Sequence, residues 1–136
     1  MQKVKTVAKL KHLRTSPRKV RLVADLIRGK KVVQAIALLE NSKKHAATPI
    51  LKLLFSAVAN GKNNEKMVEE TMVVSEIRVD EGPILHRWMP RAMGRATPLH
   101  KRSSHISLMI EGDALEDKKK KKEKKKKELE TEKKNK

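Results

Sequence analysis

Two runs that alternate like strands, VVSEIRV (Val73–Val79) and HISLMI (His105–Ile110), flank a connection with no Asp or Glu from Gly82 through Ile110. Ordinary hairpins turn in a few residues, so a connection this long inside a small domain needs a reason. It carries Arg87, Arg91, Arg95, Lys101, Arg102 and the only tryptophan, Trp88. The flanking runs can pair only if the stretch between them leaves the body, which predicts a long β-hairpin over about residues 80–104. Its charge calls for an anionic partner. Extended from Asp80 to Met93, such an arm reaches roughly 40 Å. A two-stranded ribbon is marginal alone in water, so it is expected to order within its partner. Arg87, Arg91 and Arg95 recur every four residues with Pro90, Gly94 and Pro98 between them. That irregular basic tip suits RNA grooves and phosphates, not the reading of base sequence. Met89 and Met93 find no core there and suit contact with bases or with a passing ligand, and Trp88 suits stacking on a nucleobase as well as it would a place in the sheet core.

The body reads as a small α+β domain: three helices on a three-stranded antiparallel sheet. Val4, Thr6, Ala8 and Leu10 alternate with Lys3, Lys5, Val7, Lys9 and Lys11, a strand with one core face and one lysine face. Ser16-Pro17 marks a helix start, with Ser16 expected to cap exposed amides, and Gly29 marks its left-handed stop. Val20, Val23, Ala24 and Ile27 form its core stripe, which Leu22 and Leu26 are expected to widen. Asp25 has the spacing to pair with Arg21 and Arg28. Arg14, Arg18 and Lys19 crowd the positive end of this helix without an acid, since the chain has none before Asp25. An outside anion would offset them. Lys31–Glu40 reads as a second helix with Val33, Ile36, Ala37 and Leu39 inward. A third covers about Ser42–Asn60, with Leu51, Leu54, Phe55 and Val58 as its stripe. Pro49 either kinks it, the preferred reading, or marks a start near Thr48 after a separate turn. Gly61–Glu70 reads as a polar loop. In the strand that follows, Val73, Ile77 and Val79 are expected to share the core face with Ser75, and Asp80–Pro83 to shape the bend into the arm.

Residues Lys118–Lys136 hold twelve Lys and four Glu, with Leu129 their one large apolar residue. Such composition cannot offset its chain entropy by burial, so residues 113–136 are expected to form a disordered tail on a domain of residues 1–112. The chain carries 34 basic and 16 acidic residues, a formal charge of +18, of which +10 lies on Met1–Asp117. The body is therefore basic in its own right. No apolar run approaches the roughly 20 residues that span a bilayer, the N-terminus has no signal-peptide core, and there is no cysteine. A cytoplasmic protein without membrane contact is expected. His12, His45, His86, His100 and His105 show no metal-ligand spacing, and no nucleophile–base–orienter set can be assembled. Neither an enzyme, a metal site nor a cofactor is expected.

SPRKVRLVADLIRGK (Ser16–Lys30), SAVAN (Ser56–Asn60), VDEGP (Val79–Pro83), MPRAMGRA (Met89–Ala96) and KRSSHI (Lys101–Ile106) together resemble the universal large-subunit ribosomal protein L-twenty-two family of bacterial type, over about Val4–Ile110. The resemblance implies a structural protein that binds large-subunit rRNA, aids its assembly and touches neighbouring ribosomal proteins. It implies rRNA contacts at Lys9, Lys11, Arg14, Ser16, Arg18, Lys19, Arg21, Arg28 and Lys30 on the body. On the arm it implies them at Arg87, Trp88, Arg91, Arg95, His100, Lys101 and Arg102. The tip, Met89, Pro90, Arg91, Ala92, Met93, Gly94 and Arg95, would line the polypeptide exit tunnel near the nascent polypeptide and macrolides. Met93 stands where the family commonly has Lys, and Trp88 where it commonly has an aliphatic residue. The alternative reading is a non-ribosomal basic RNA-binding or RNA-chaperone module.

Overall fold

A computed structural model describes residues 3–114. The tail expected over residues 113–136 therefore falls almost wholly outside the described residues. Strand β1 (Lys3–Leu13) leads into helices α1 (Pro17–Ile27), α2 (Val32–Glu40) and α3 (Ala47–Glu65). A 3-10 turn (Glu69–Thr71) precedes β2 (Val73–Glu81). The chain then forms the arm strands β3 (Leu85–Pro90) and β4 (Ala96–Lys101), and returns in β5 (Ser104–Asp113). The expected α+β class and long hairpin are both present, with β5 central in an antiparallel sheet ordered β1–β5–β2. Ser104, Ile106, Leu108, Ile110 and Gly112 alternate inward along β5, matched by Thr6 and Ala8 of β1 and by Ile77 and Val79 of β2. Each large aliphatic side chain buried here contributes about 1.5–3 kcal/mol.

The helices cover one face of this sheet with narrower stripes than expected. Val20, Val23, Ala24 and Ile27 of α1 are buried, but Leu22 and Leu26 are exposed. In α2 the buried positions are Val32, Ala35 and Leu39, while Val33 and Ala37 face outward. In α3 Ile50, Leu53, Leu54, Ala57 and Val58 are buried and Phe55 is not. At 3.6 residues per turn, each displaced residue lies roughly 110–170° from the centre of its stripe, too far round to reach a sheet on one side.

Helix α3 begins at Ala47, without a kink at Pro49. Pro49 sits in the first turn, where an amide has no intrahelical partner to lose. The helix also continues through Gly61 to Glu65, so half of the expected polar loop is helical, and Lys66 ends it in the left-handed region at φ 51°. A bulge between Val74 and Glu76 shifts the register of β2. The extra residue changes the phase of the alternation, so Val74 and not Val73 is buried and Ser75 points out.

Strand β2 is an edge strand whose free carbonyls are taken up by the α1 region. Arg21 donates Nε and Nη2 to Val79 O at 3.3 and 3.1 Å, and Arg28 donates Nη2 to Ile77 O at 3.1 Å. The Gly29 amide donates to Val74 O at 2.9 Å. Gly29 does so at φ +73°, the left-handed stop expected of it. Asp25 pairs with Arg28 at 2.6 Å, while Arg21 is committed to the strand. Ser16 precedes α1, yet its hydroxyl makes no capping bond.

Candidate nucleic-acid interface

The arm leaves the body through a tight crossing. The Gly82 amide donates to Ser103 O at 2.9 Å, and Ser103 Oγ donates to Pro83 O at 2.7 Å. A Cβ on Gly82 would stand 2.5 Å from Ser103 Oγ, so only glycine passes here without displacement. Beyond the crossing β3 and β4 pair only with each other, from Leu85↔Lys101 to Pro90↔Ala96. Every residue from 85 to 102 is exposed. At about 3.3 Å per residue the tip stands roughly 30 Å from the end of β2.

Strand alternation gives the arm two unlike faces. Leu85, Arg87 and Met89 share one with their partners Lys101, Leu99 and Thr97. His86, Trp88 and Pro90 share the other with His100, Pro98 and Ala96. The indole of Trp88 is 71% exposed. At the tip, a 3-10 turn (Ala92–Gly94) carries Met93 and Gly94 at φ 58° and 68°. The turn is closed by the Arg91 amide donating to Arg95 O at 2.8 Å. Met93 is 94% exposed, in a left-handed conformation that costs a non-glycine residue about 1–2 kcal/mol. The guanidiniums of the arm have few partners: Arg87 donates to its neighbour's carbonyl, His86 O, at 2.9 Å, and Arg91 reaches Thr97 Oγ1 at 3.5 Å. No carboxylate lies anywhere on the arm.

Where arm meets body, Arg14, Thr15 and Ser16 of the β1–α1 connection face His100, Lys101 and Arg102 across a cleft of about 340 Å³. Segments some 85 positions apart in sequence thus form one cationic surface. Arg18 and Lys19 stand in the first turn of α1, which contains no acid, so side chains and helix end add their positive potentials there. Lys9 and Lys11 extend the surface along β1 and form no ion pair among the described residues. Lys5, by contrast, is bound to Glu111 at 2.8 Å. The Lys5 ammonium, and then the Ser75 hydroxyl, hold the Glu111 carboxyl below the usual carboxylate range, and Glu111 raises Lys5 in return. Lys30 is exposed beyond α1, where its carbonyl accepts from the Val74 amide at 2.9 Å.

Of the sequence candidates, then, the fold brings Arg14 and Ser16 together with His100, Lys101 and Arg102. It sets the tip residues Met89–Arg95 far from them and gives Arg21 and Arg28 tethering bonds to β2. Sequence reasoning did not single out Thr15 or Lys52. Thr15 lines the cationic cleft. Lys52, with Lys9, borders a second groove of about 430 Å³ floored by Leu10, Leu13, Pro49 and Leu53. The signal for Lys52 was a lone cation inside the apolar run of α3.

Body, crossing and ribbon together define the class: a small basic α+β protein with a cationic β-ribbon extension. Residues 8–111 match the family model described as ribosomal protein L22p/L17e. The chain is 51% identical over 110 residues to large ribosomal subunit protein uL22 of Desulfitobacterium hafniense (strain Y51), covering 81% of this chain and 95% of the relative. It is 53% identical over 106 residues to the protein of the same name from Mycoplasma mycoides subsp. mycoides SC, covering 78% and 96%. The Fusobacterium nucleatum subsp. nucleatum relative, also of that name, is 52% identical over 101 residues, covering 74% and 91%. The chain belongs to this ribosomal protein family.

Proposed function

We propose that the protein is a structural, non-catalytic component of the large ribosomal subunit in the cytoplasm, held there by large-subunit rRNA. The observation that carries this reading is the arm: eighteen consecutive exposed residues without an acid, rooted in a cationic cleft of the body. An exposed ribbon whose guanidiniums meet no carboxylate, with an open indole and no core, gains order only within a surrounding anion. Folded RNA supplies both the phosphates and the base faces that this set of side chains can use.

In this reading Lys9, Lys11, Arg14, Ser16, Arg18, Lys19 and Lys30 dock the body on rRNA phosphates. His100, Lys101 and Arg102 anchor the arm root, while Arg87, Trp88, Arg91 and Arg95 engage RNA along the arm. Arg21 and Arg28 serve the interface mainly by fixing α1 to β2. The body lies near the outer mouth of the polypeptide exit tunnel beside neighbouring ribosomal proteins. Residues Met89–Arg95 reach inward to the tunnel wall, within reach of the nascent polypeptide and of macrolides. Likeness to relatives named as large ribosomal subunit proteins supports the subunit assignment, and the length and exposure of the arm suit the inward reach.

The test is binding to large-subunit rRNA across a salt series. Neutralised phosphates release counterions, so affinity falls steeply as salt rises. Arg18→Gln with Lys19→Gln removes two phosphate contacts and lowers the salt slope by about two, without lowering the unfolding midpoint, since relieving like charge at a helix N-terminus does not destabilise it. A wild-type affinity indifferent to salt, or a chain absent from purified large subunits, would sink the proposal.

A further inference from the structure

The arm's register sets His86 directly opposite His100, two residues fourteen apart in sequence that no spacing rule links. Their imidazoles meet edge to face with centroids 4.8 Å apart, and both are exposed. We propose that this pair is a binding site for a borderline divalent transition metal, Zn²⁺, Ni²⁺ or Cu²⁺, which fastens the two strands of the arm together.

The geometry comes first. Metal–nitrogen bonds of about 2.0–2.1 Å place each ring centroid roughly 3.2 Å from the ion, so two imidazoles about 90–110° apart around it have centroids roughly 4.5–5.2 Å apart. The observed separation falls inside that window. Rotation about χ2, a soft torsion for imidazole, turns one nitrogen of each ring toward the shared point. The backbone need not move, because directly opposed residues already have adjacent Cβ atoms.

Ligand chemistry then selects the metal. Neither the arm nor the whole stretch from Gly82 to Ile110 offers a carboxylate, so Mg²⁺ and Ca²⁺, which demand oxygen, have nothing to hold. Imidazole nitrogen suits Zn²⁺, Ni²⁺ and Cu²⁺. Strand alternation turns Arg87 and Lys101 from this face, but Arg14 and Arg102 border the cleft that His100 also lines, so nitrogen ligation and not local charge has to hold the ion. No third protein ligand joins the pair among the described residues, so the remaining coordination positions belong to water. The molecule's other histidine contact is spoken for: His12 and His105 are 4.7 Å apart, but His105 Nδ1 accepts the His12 amide at 2.9 Å. An ion that binds only the closed ribbon stabilises it by mass action, in the region of the fold with the least stability of its own. This holds for the protein free of RNA and is independent of its ribosomal role.

The experiment titrates the free full-length protein with zinc chloride, following imidazole NMR signals and amide exchange in β3 and β4. His86 and His100 are expected to shift on one shared saturation curve, with slower exchange along the arm, while magnesium chloride does neither. Acid should reverse the binding, because a ligating nitrogen must be unprotonated. His86→Gln or His100→Gln should abolish the partner's shift. The affinity loss should exceed the roughly ten- to hundred-fold cost of removing an outer-sphere partner. Both side chains are exposed, so neither substitution threatens the fold. The proposal is overturned if His100 keeps its zinc response in His86→Gln, if the response belongs to His12, His45 or His105, or if magnesium reproduces it.

Discussion

Body and arm are built from one chain on opposite principles. In the body, Ile106, Leu108 and Ile110 are almost wholly buried, and even guanidiniums are spent on backbone carbonyls. In the arm nothing is buried, and the cations have few intramolecular partners. The difference teaches where each region's order comes from: the body from its own packing, the arm from whatever surrounds it. Residue type does not distinguish them, since arginine serves in both. Position relative to a core does.

The comparison breaks most readily at its largest expected effect. Leu108→Ala should cost about 2–5 kcal/mol in urea unfolding, while Met93→Ala at the tip shifts it by less than about 0.5 kcal/mol. Equal costs would mean that the arm shares the body's stability. Gly82→Ala, at the border of the two regions, should cost about 1–3 kcal/mol, because its new methyl meets Ser103 Oγ. A double-mutant cycle with Ser103→Gly should then show favourable coupling as the clash is relieved.

A smaller effect separates two arginines. Arg21→Ala should lower stability by about 0.5–1.5 kcal/mol through the lost bonds to Val79 O. Arg87→Ala should leave stability alone and weaken RNA binding. The smallest effect is electrostatic. Glu111 is held low in the folded state by Lys5 and Ser75, so its contribution is fully present above the ordinary carboxylate pKa and is lost as pH falls through the lower folded value. Glu111→Gln should flatten the acid limb of a stability–pH profile in that window by lowering the neutral plateau slightly, leaving the acid end nearly unchanged.

Much of this division was legible in the sequence. The acid-free stretch announced the arm, and alternation announced Ile106, Leu108 and Ile110 as core. Local patterns failed where a third dimension decided. Leu22, Val33 and Phe55 read as core because apolar character says nothing about angle, and a sheet on one side accepts only a narrow stripe. Pro49 read as a kink because the true helix start has no strong cap to mark it. The bulge at Ser75 moved Val73 outward with no warning in residue type. At the interface, Arg14 and Arg18 read as anion-facing from their missing acids. The cleft that joins Arg14 to Lys101 depends on strand pairing across most of the chain, and Arg21 gave no sign that it would be used internally.

The bonds from Arg21, Arg28 and Gly29 to β2 have a further consequence for the life of the protein before it is assembled. An open sheet edge is a template on which another chain can add a strand, and a protein awaiting its partner is exposed to that hazard. One edge of this sheet has its carbonyls already occupied by α1 and the glycine after it. The other edge, β1, is studded with Lys3, Lys9 and Lys11, beside Lys5 paired to Glu111, and repulsion between such edges discourages pairing between copies. The same lysines that suit a polyanion therefore also work against edge-to-edge pairing between copies that await assembly.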